Sequence, residues 1–183
     1  MSSSDFSRSR VARGGRPVAL AASALVALTL AACTVQPLYA PTAAGTSVAT
    51  TIASVYIEDV DTRLAQEVRN KLIFGLNGGA GQPANPAYRM KLNVTSSETA
   101  LGVTTFETAP AYSITVAATY EVTSVETGKI VYRSTARGTA SFDRVNQIYA
   151  NTRAKLDAGN RAAALAADEI RIRLSAEAAK GTI

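Results

Sequence analysis

The chain has 183 residues, of which 47% are hydrophobic and 18% charged, and its formal net charge is +5. It contains no histidine and a single cysteine, which excludes a Ser-His-Asp or Cys-His catalytic site, a His-containing metal site and an internal disulfide. The length suits one domain with a sizeable core.

A secretory leader is predicted at the N-terminus. Four arginines between Arg8 and Arg16 precede the uncharged apolar run Val18–Leu30, and two alanines follow it. A positive segment, a short apolar run and small residues make up the layout of a secretory signal. The run is shorter than the roughly 20 residues that a membrane-spanning helix needs. We therefore predict that residues 1–32 are a signal peptide.

Cys33 directly follows this leader in the sequence Leu-Ala-Ala-Cys, which matches the bacterial lipobox. A thiol at this place accepts a diacylglyceryl group through a thioether, and cleavage before it frees an amine for a third acyl chain. Stable anchoring on a membrane takes at least two chains. We predict that Cys33 is lipidated; the alternative is an ordinary signal peptide with an unmodified cysteine. The next residue is Thr34 rather than Asp, so the inner-membrane retention signal is absent and the outer membrane is favoured.

Residues 33–51 are predicted to be a lipidated flexible linker, because they contain Pro37, Pro41, Gly45 and many small polar residues. Without the leader the chain has fifteen basic and thirteen acidic residues, a net charge of about +2. The basic character of the full chain thus comes mainly from the leader, and it does not indicate nucleic-acid binding.

Residues 52–183 are predicted to form one folded domain that begins with a strand and a helix. The β-branched residues of 52–60 predict the strand. Asp61 is the predicted cap of a helix over 62–74, in which Leu64, Val68 and Leu72 recur every four residues. Several glycines from Gly75 onward are expected to end this helix and to begin a loop.

Three further strands and a last helix complete the prediction. Alternating apolar residues predict strands at 88–94 and 112–123, and a return strand at 130–142 after a glycine-containing turn. On the return strand, Ile130 and Tyr132 are expected on the apolar side. The order β-α-β-β-β-α predicts an α+β fold, a two-layer sandwich with two helices packed on one face of a four-stranded, mostly antiparallel sheet.

The closing helix is predicted to be strong from Arg161 onward. Its front half is expected to be broken or to start late, because Asn151, Gly159 and Asn160 have weak helix propensity. Gly181 follows the last apolar residues and is the predicted end of the helix.

Four basic residues are the candidate binding site. Arg89 and Lys91 lie two apart on one predicted strand, and Arg133 and Arg137 lie four apart on another, so each pair shares a face. Neighbouring strands would combine them into a basic patch suited to phosphate groups, with Arg as a bidentate fork and Lys as a point charge. The alternative is ordinary solvated charge on the wet face of a sheet.

An enzyme is not predicted, and no cofactor or metal is implied. The sequence Gly-Gly-Ala-Gly at 78–81 lacks the lysine and the strand-to-helix context of a phosphate loop. Carboxylates that remain available show no paired spacing; they include Glu98, Glu107, Glu121 and Asp143.

Two segments carry a resemblance to a known family. The leader Gln-Pro-Leu-Tyr-Ala at 36–40, shortly after the lipobox, and the closing helix Leu-Ala-Ala-Asp-Glu-Ile-Arg-Ile-Arg-Leu at 165–174 resemble the alphaproteobacterial branch of the LptE family of LPS-assembly lipoproteins. The order of elements is similar as well, although Thr34 and Val35 replace the more usual Gly-Phe. The resemblance implies a non-catalytic protein that plugs the LptD outer-membrane β-barrel, helps it to assemble and binds lipopolysaccharide. The basic patch would then meet lipid A phosphates.

Two other functions stay open at this point. One is an accessory lipoprotein of an envelope ABC-type lipid transporter, which would pair with an inner-membrane complex instead of a barrel. The other is an envelope hydrolase that uses carboxylates, which would require an acidic pair in a cleft.

Overall fold

The structure is a computed structural model, and it describes residues 47–102 and 111–183. The predicted leader (1–32), Cys33, most of the predicted linker and Glu107 lie outside the described residues. Within the described ranges, helices and strands follow the order α-β-α-β-β-β-α. They are α1 (Val48–Ala53), β1 (Val55–Ile57), α2 (Arg63–Asn77), β2 (Tyr88–Leu101), β3 (Ala111–Ser124), β4 (Ile130–Asp143) and α3 (Ile148–Lys180).

The strands form one open sheet in the order β1-β2-β3-β4. β1 is parallel to β2, with Val55 beside Tyr88, and the two longer pairs are antiparallel. Alternate residues of β3, such as Tyr120 and Val122, are fully buried beneath the helices. The opposite face carries polar side chains. The predicted α+β class, with helices on one face of a mostly antiparallel sheet, is confirmed, and the structure adds one short helix.

This added helix, α1, takes up the last residues of the predicted linker and the start of the predicted strand. Ser47 caps it by accepting a hydrogen bond from a backbone N–H of the first turn. Val48 and Ile52 are buried, and their spacing places both on the same side of a helix. The predicted strand over 52–60 is therefore too long, because only Val55–Ile57 is extended. Burial of this helical pair outweighs the β propensity of the segment.

Helix α2 begins after Thr62, which replaces Asp61 as the expected cap. The Thr62 Oγ1 accepts a hydrogen bond from the Ala65 N–H at 3.3 Å. The helix runs through Gly75, where it was expected to end, and stops at Gly78, whose φ of 58° suits a left-handed cap. Its buried stripe consists of Ala65, Val68, Leu72 and Leu76.

Strands β3 and β4 form the predicted long hairpin, and β2 continues to Leu101, well beyond its expected end. A register shift between Val122 and Thr123 leaves Thr123 opposite Ile130. The predicted position of Ile130 on the apolar side is therefore wrong; its side chain is 51% exposed. The bulge adds one residue to β4, so the alternation of side chains between the two faces changes by one residue before Tyr132.

Helix α3 is continuous from Ile148 to Lys180, so the predicted break in its front half is wrong. Gly159 is buried where α2 approaches, and a Cβ there would lie 3.3 Å from the Leu64 Cδ2 atom. The Asn160 Oδ1 accepts a hydrogen bond from Arg63 at 2.8 Å. These contacts with α2 offset the weak helix propensity. In the described part of the chain, no helix has the length and apolar character needed to cross a bilayer.

Small residues line the buried side of α3 and let it lie close to β4. The closest approach is at Gly138, which faces the helix. A Cβ on Gly138 would lie 2.6 Å from the Ala166 nitrogen and 2.8 Å from the Leu165 Cβ. The buried alanines of the helix are Ala158, Ala162, Ala163, Ala166, Ala167 and Ala178.

Candidate functional site: the polar face of the sheet

The sheet face that points away from the helices carries all four predicted basic residues. Met90 is fully buried, so Arg89 and Lys91 on either side of it point to the opposite face. The register of β2, β3 and β4 puts Arg133 and Arg137 on this same face. We refer to Arg89, Lys91, Arg133 and Arg137 as the basic patch.

One row of the basic patch contains an acidic residue in its middle. Lys91 lies opposite Glu121, and Glu121 lies opposite Arg133 on the next strand. The Arg133 Nη2 and Glu121 Oε1 atoms are 2.9 Å apart, and their side chains are 60% and 34% exposed. Two strand spacings separate Lys91 from Arg133, about 10 Å. An anion that binds between these two cations therefore meets a carboxylate as well.

The other two cations stand on either side of this row. The Arg89 guanidinium lies over the Tyr56 ring of β1, 5.2 Å from its centroid, in a cation–π contact. Arg137 lies opposite Ala117 and four residues beyond Arg133, roughly 13 Å along the strand. The four cations thus spread over the face and do not converge on one point. A ligand that engages all of them must carry several separated anionic groups.

Between these cations the face is lined with hydroxyl groups. Thr115 and Thr139 are paired across β3 and β4 with their Oγ1 atoms 3.0 Å apart, and Thr119 and Thr135 are paired in the same way at 2.9 Å. Such cross-strand pairs stabilise the hairpin. The face therefore offers hydroxyl donors and acceptors beside the cations.

Sequence reasoning missed Tyr56 as a member of this face, and it did not predict the partners of Glu121. Glu121 was expected on the polar face as a solvated charge, but its position between Lys91 and Arg133 depends on strand register. The alternation pattern gives the face of a residue and does not give its partner across the strand pair. The composition of β1 did not predict that Tyr56 lies on the polar face while its neighbours are buried.

Groups with shifted pKa values lie on the helix side of the sheet. Burial raises the pKa of Tyr120, and the neighbouring Tyr132 adds to this shift. A hydrogen bond to Glu169 raises the pKa of Arg173, which also donates to the Ser134 hydroxyl at 2.9 Å. These residues hold α3 on β4. Within the two described ranges, no three His, Cys, Asp or Glu side chains gather as metal ligands.

The comparison with known families decides the identity of the chain. Residues 50–174 match the model of the LptE family, which is described as lipopolysaccharide-assembly. The chain belongs to the LptE family. The predicted resemblance is therefore confirmed. LptE-family proteins are non-enzymatic outer-membrane lipoproteins, and the role of this member is in lipopolysaccharide assembly.

Solved structures share the fold of this LptE-family chain. A lipoprotein from Caulobacter crescentus CB15 superposes with a TM-score of 0.61 at 24% identity, and the match covers 73% of this chain and 96% of that one. The rare lipoprotein B from Shewanella oneidensis gives a TM-score of 0.54 at 14% identity, over 70% and 97% of the two chains. A minor lipoprotein from Acinetobacter baumannii gives 0.54 at 13% identity, over 68% and 91%. No curated protein matches the chain.

Proposed function

We propose that this LptE-family protein plugs the lumen of the LptD β-barrel, helps the barrel to assemble, and binds lipopolysaccharide through the basic patch. The observation that carries the proposal is the polar face of the sheet, where Arg89, Lys91, Arg133 and Arg137 are opposed by one carboxylate, Glu121. Lipid A presents phosphate groups at separate positions. Arginine binds phosphate oxygens in bidentate fashion, and lysine adds a compact charge.

The cations of the patch are expected to contribute unequally. Within the described residues, Arg137 and Lys91 take part in no salt bridge, whereas Arg133 is already bound to Glu121. A phosphate that reaches Arg133 must compete with this carboxylate or displace it. We therefore assign the larger share of the binding energy to Arg137 and Lys91.

The hydroxyl-rich face also supports the plug. The lumen of an outer-membrane barrel is polar, so a protein that fills it must present polar groups over a broad area. The threonine pairs Thr115–Thr139 and Thr119–Thr135 present hydroxyls on a regular strand lattice. The hydroxyls of this surface can exchange hydrogen bonds with a polar wall.

Lipidation of Cys33 is the third part of the proposal. Thirteen residues separate Cys33 from Ser47, the cap of α1. A fully extended segment of that length reaches at most about 45 Å. The domain can therefore stay attached to the inner leaflet of the outer membrane while it sits within a barrel.

Binding to purified lipopolysaccharide tests the site. Replacing the four patch residues by alanine is expected to weaken binding by about tenfold or more at roughly 150 mM salt, since each exposed charge-assisted contact contributes modestly. The matched control removes four exposed cations elsewhere, at Lys71, Arg144, Arg153 and Lys180. Equal loss in both variants would mean that net charge alone determines binding. Unchanged binding in a folded patch variant would refute the assignment.

Lipidation is tested separately with the precursor. Cys33→Ala is expected to abolish incorporation of radiolabelled palmitate and to leave the leader uncleaved. Palmitate that still enters this variant would refute the lipidation of Cys33.

A further inference from the structure

Side chains bond to backbone groups on part of both outer edges of the sheet. At β1, the Gln82 side chain accepts from the Ile57 N–H at 2.9 Å and donates to the Ile57 carbonyl at 2.7 Å. At β4, Arg173 donates to the Thr135 carbonyl at 3.0 Å, and Arg161 donates to the Ser141 carbonyl at 2.9 Å. Charged side chains that cover a strand edge prevent another strand from pairing with it.

Among residues 47–102 and 111–183, no side chain is hydrogen-bonded to the backbone of β2 beyond β1. The Glu58 N–H donates to the Met90 carbonyl at 2.9 Å, and this is where the pairing with β1 ends. The Met90 carbonyl points away from β3. In a strand, every second residue directs its N–H and C=O groups to the same side, so these groups of Leu92 and of alternate residues after it also point away from β3. Within the described residues no strand pairs with this stretch, although β2 continues to Leu101. The outward-facing N–H and C=O groups belong to Leu92, Val94, Ser96, Glu98 and Ala100.

Two cavities lie beside this open edge. One, of about 250 Å³, is lined by residues 91–94 and by the loop that carries Glu58, Asp59 and Asp61. The other, of about 300 Å³, is lined by Ser96 to Glu98, by apolar side chains, and by the cations Arg63 and Lys155, which are bonded to Asn160 and Glu98. The apolar side chains of the second cavity are Leu64, Ile114 and Leu156.

We propose that the open edge of β2, from Leu92 to Ala100, binds an extended segment of another polypeptide by strand addition. The segment would carry a basic side chain into the first cavity and an aliphatic one into the second. The backbone groups of this edge favour a polypeptide over an acyl chain. A hydrocarbon would displace water from five N–H and five C=O groups and offer them no hydrogen bonds. An added strand forms hydrogen bonds with these groups.

The side-chain preference follows from the lining of the two cavities. Glu58, Asp59 and Asp61 outnumber the cation Lys91 at the first cavity, and the Asp59 side chain is 89% exposed although it is bonded to Arg69. A basic residue therefore gains from the first cavity. The second cavity lies about four residues farther along the strand, so the aliphatic residue follows the basic one at that spacing. This inference does not depend on lipopolysaccharide binding, because it rests on the backbone edge of β2, although Lys91 of the basic patch also lines the first cavity.

The test measures binding of a labelled probe peptide to the full chain in mild detergent. The probe Arg-Thr-Val-Thr-Leu-Thr-Val-Thr-Arg places an arginine four residues from the central leucine in either strand direction. We expect saturable binding by fluorescence anisotropy, and at least tenfold weaker binding of the same peptide with glutamate in place of both arginines. Equal binding of the two peptides, or no saturable binding of the arginine peptide up to about 1 mM, would overturn the proposal.

The edge itself is tested by Ser96→Pro, with Ser96→Thr as the matched control. Proline removes an outward N–H that β3 does not use, so the fold is expected to tolerate it. We expect Ser96→Pro to weaken peptide binding about tenfold and Ser96→Thr to leave it unchanged. Full binding to a folded Ser96→Pro variant would overturn the proposal.

Hydrogen exchange on the wild-type chain gives a second readout that needs no variant. The peptide should slow exchange at the amides of Val94, Ser96 and Glu98, and leave those of Thr95 and Ser97, which point to β3, unchanged. Protection at Val94 and Ser96 before peptide is added would show that the chain or a second copy already occupies the edge. That result would overturn the proposed partner.

Discussion

The close packing of α3 on β4 makes Gly138→Ala the most informative test of the fold. A Cβ at this position would clash with the Ala162 carbonyl oxygen and would lie 2.6 Å from the Ala166 nitrogen. Both obstructing atoms belong to the helix backbone. They can move only if α3 as a whole moves away from the sheet, which would loosen the buried Ala162 and Ala166 contacts.

The expected cost follows from this geometry. Overpacking a core costs about 1–3 kcal/mol, and rigid backbone neighbours place Gly138→Ala near the upper end. Replacing a strand glycine by alanine also stabilises the fold by roughly 0.5 kcal/mol, because it lowers the conformational entropy of the unfolded chain. We expect the free energy of unfolding to fall by about 2.5 kcal/mol, which corresponds to a decrease in Tm of roughly 8–10 °C for a domain of this size.

Gly159→Ala is the matched control for Gly138→Ala, because Gly159 lies on the same helix, α3, but faces α2 instead of β4. A Cβ on Gly159 would lie 3.3 Å from the Leu64 Cδ2 and 3.8 Å from the Arg63 Nη2, and both atoms are at the ends of side chains that can rotate. Alanine also has the higher helix propensity, by about 1 kcal/mol. We expect Gly159→Ala to be neutral or slightly stabilising. Urea unfolding followed by circular dichroism gives both values. A Gly138→Ala variant within about 0.5 kcal/mol of wild type, or equal losses in both variants, would refute the packing argument.

Three further predictions concern single side chains. Tyr120→Phe is expected to keep or slightly raise stability, since the buried Tyr120 hydroxyl makes no hydrogen bond within the described residues. Because burial raises the Tyr120 pKa, the free energy of unfolding of the wild type should be constant up to about pH 10 and fall above it, more steeply than that of Tyr120→Phe. A loss of more than about 1 kcal/mol in Tyr120→Phe at pH 7 would contradict the expectation that the hydroxyl adds no stability. Glu121→Gln is expected to strengthen lipopolysaccharide binding severalfold by releasing Arg133, as measured by titration; weaker binding would mean that the carboxylate positions the arginine. A hydrogen bond from Lys180 lowers the pKa of Glu177, so Lys180→Ala should raise that pKa in an NMR titration, and an unchanged value would contradict the pairing.

Where a pattern repeats along the chain, the sequence was sufficient to predict the fold. The alternation of β3 predicted its buried face, and the four-residue repeat of Val68 and Leu72 predicted α2. The prediction of β1 failed because α1 is held by only two buried residues, Val48 and Ile52, in a segment of β-branched residues. Propensity over so short a stretch carries little weight against burial.

The remaining differences depend on contacts between distant residues. Gly159 weakens a helix in isolation, yet in α3 it permits close packing against Leu64. Ile130 changed faces because of a bulge that no local signal announced. For the basic patch, alternation predicted which face the four cations share. The insertion of Glu121 beside Arg133 required the register of two strand pairs.

The most direct test of the proposed function is a pull-down of the C-terminally tagged lipoprotein from outer membranes in mild detergent. The account predicts that an LptD-type β-barrel is recovered in near-equal amount, and that lipopolysaccharide accompanies the complex. Recovery of the protein alone, or with the subunits of an inner-membrane ABC transporter, would contradict the proposed plug.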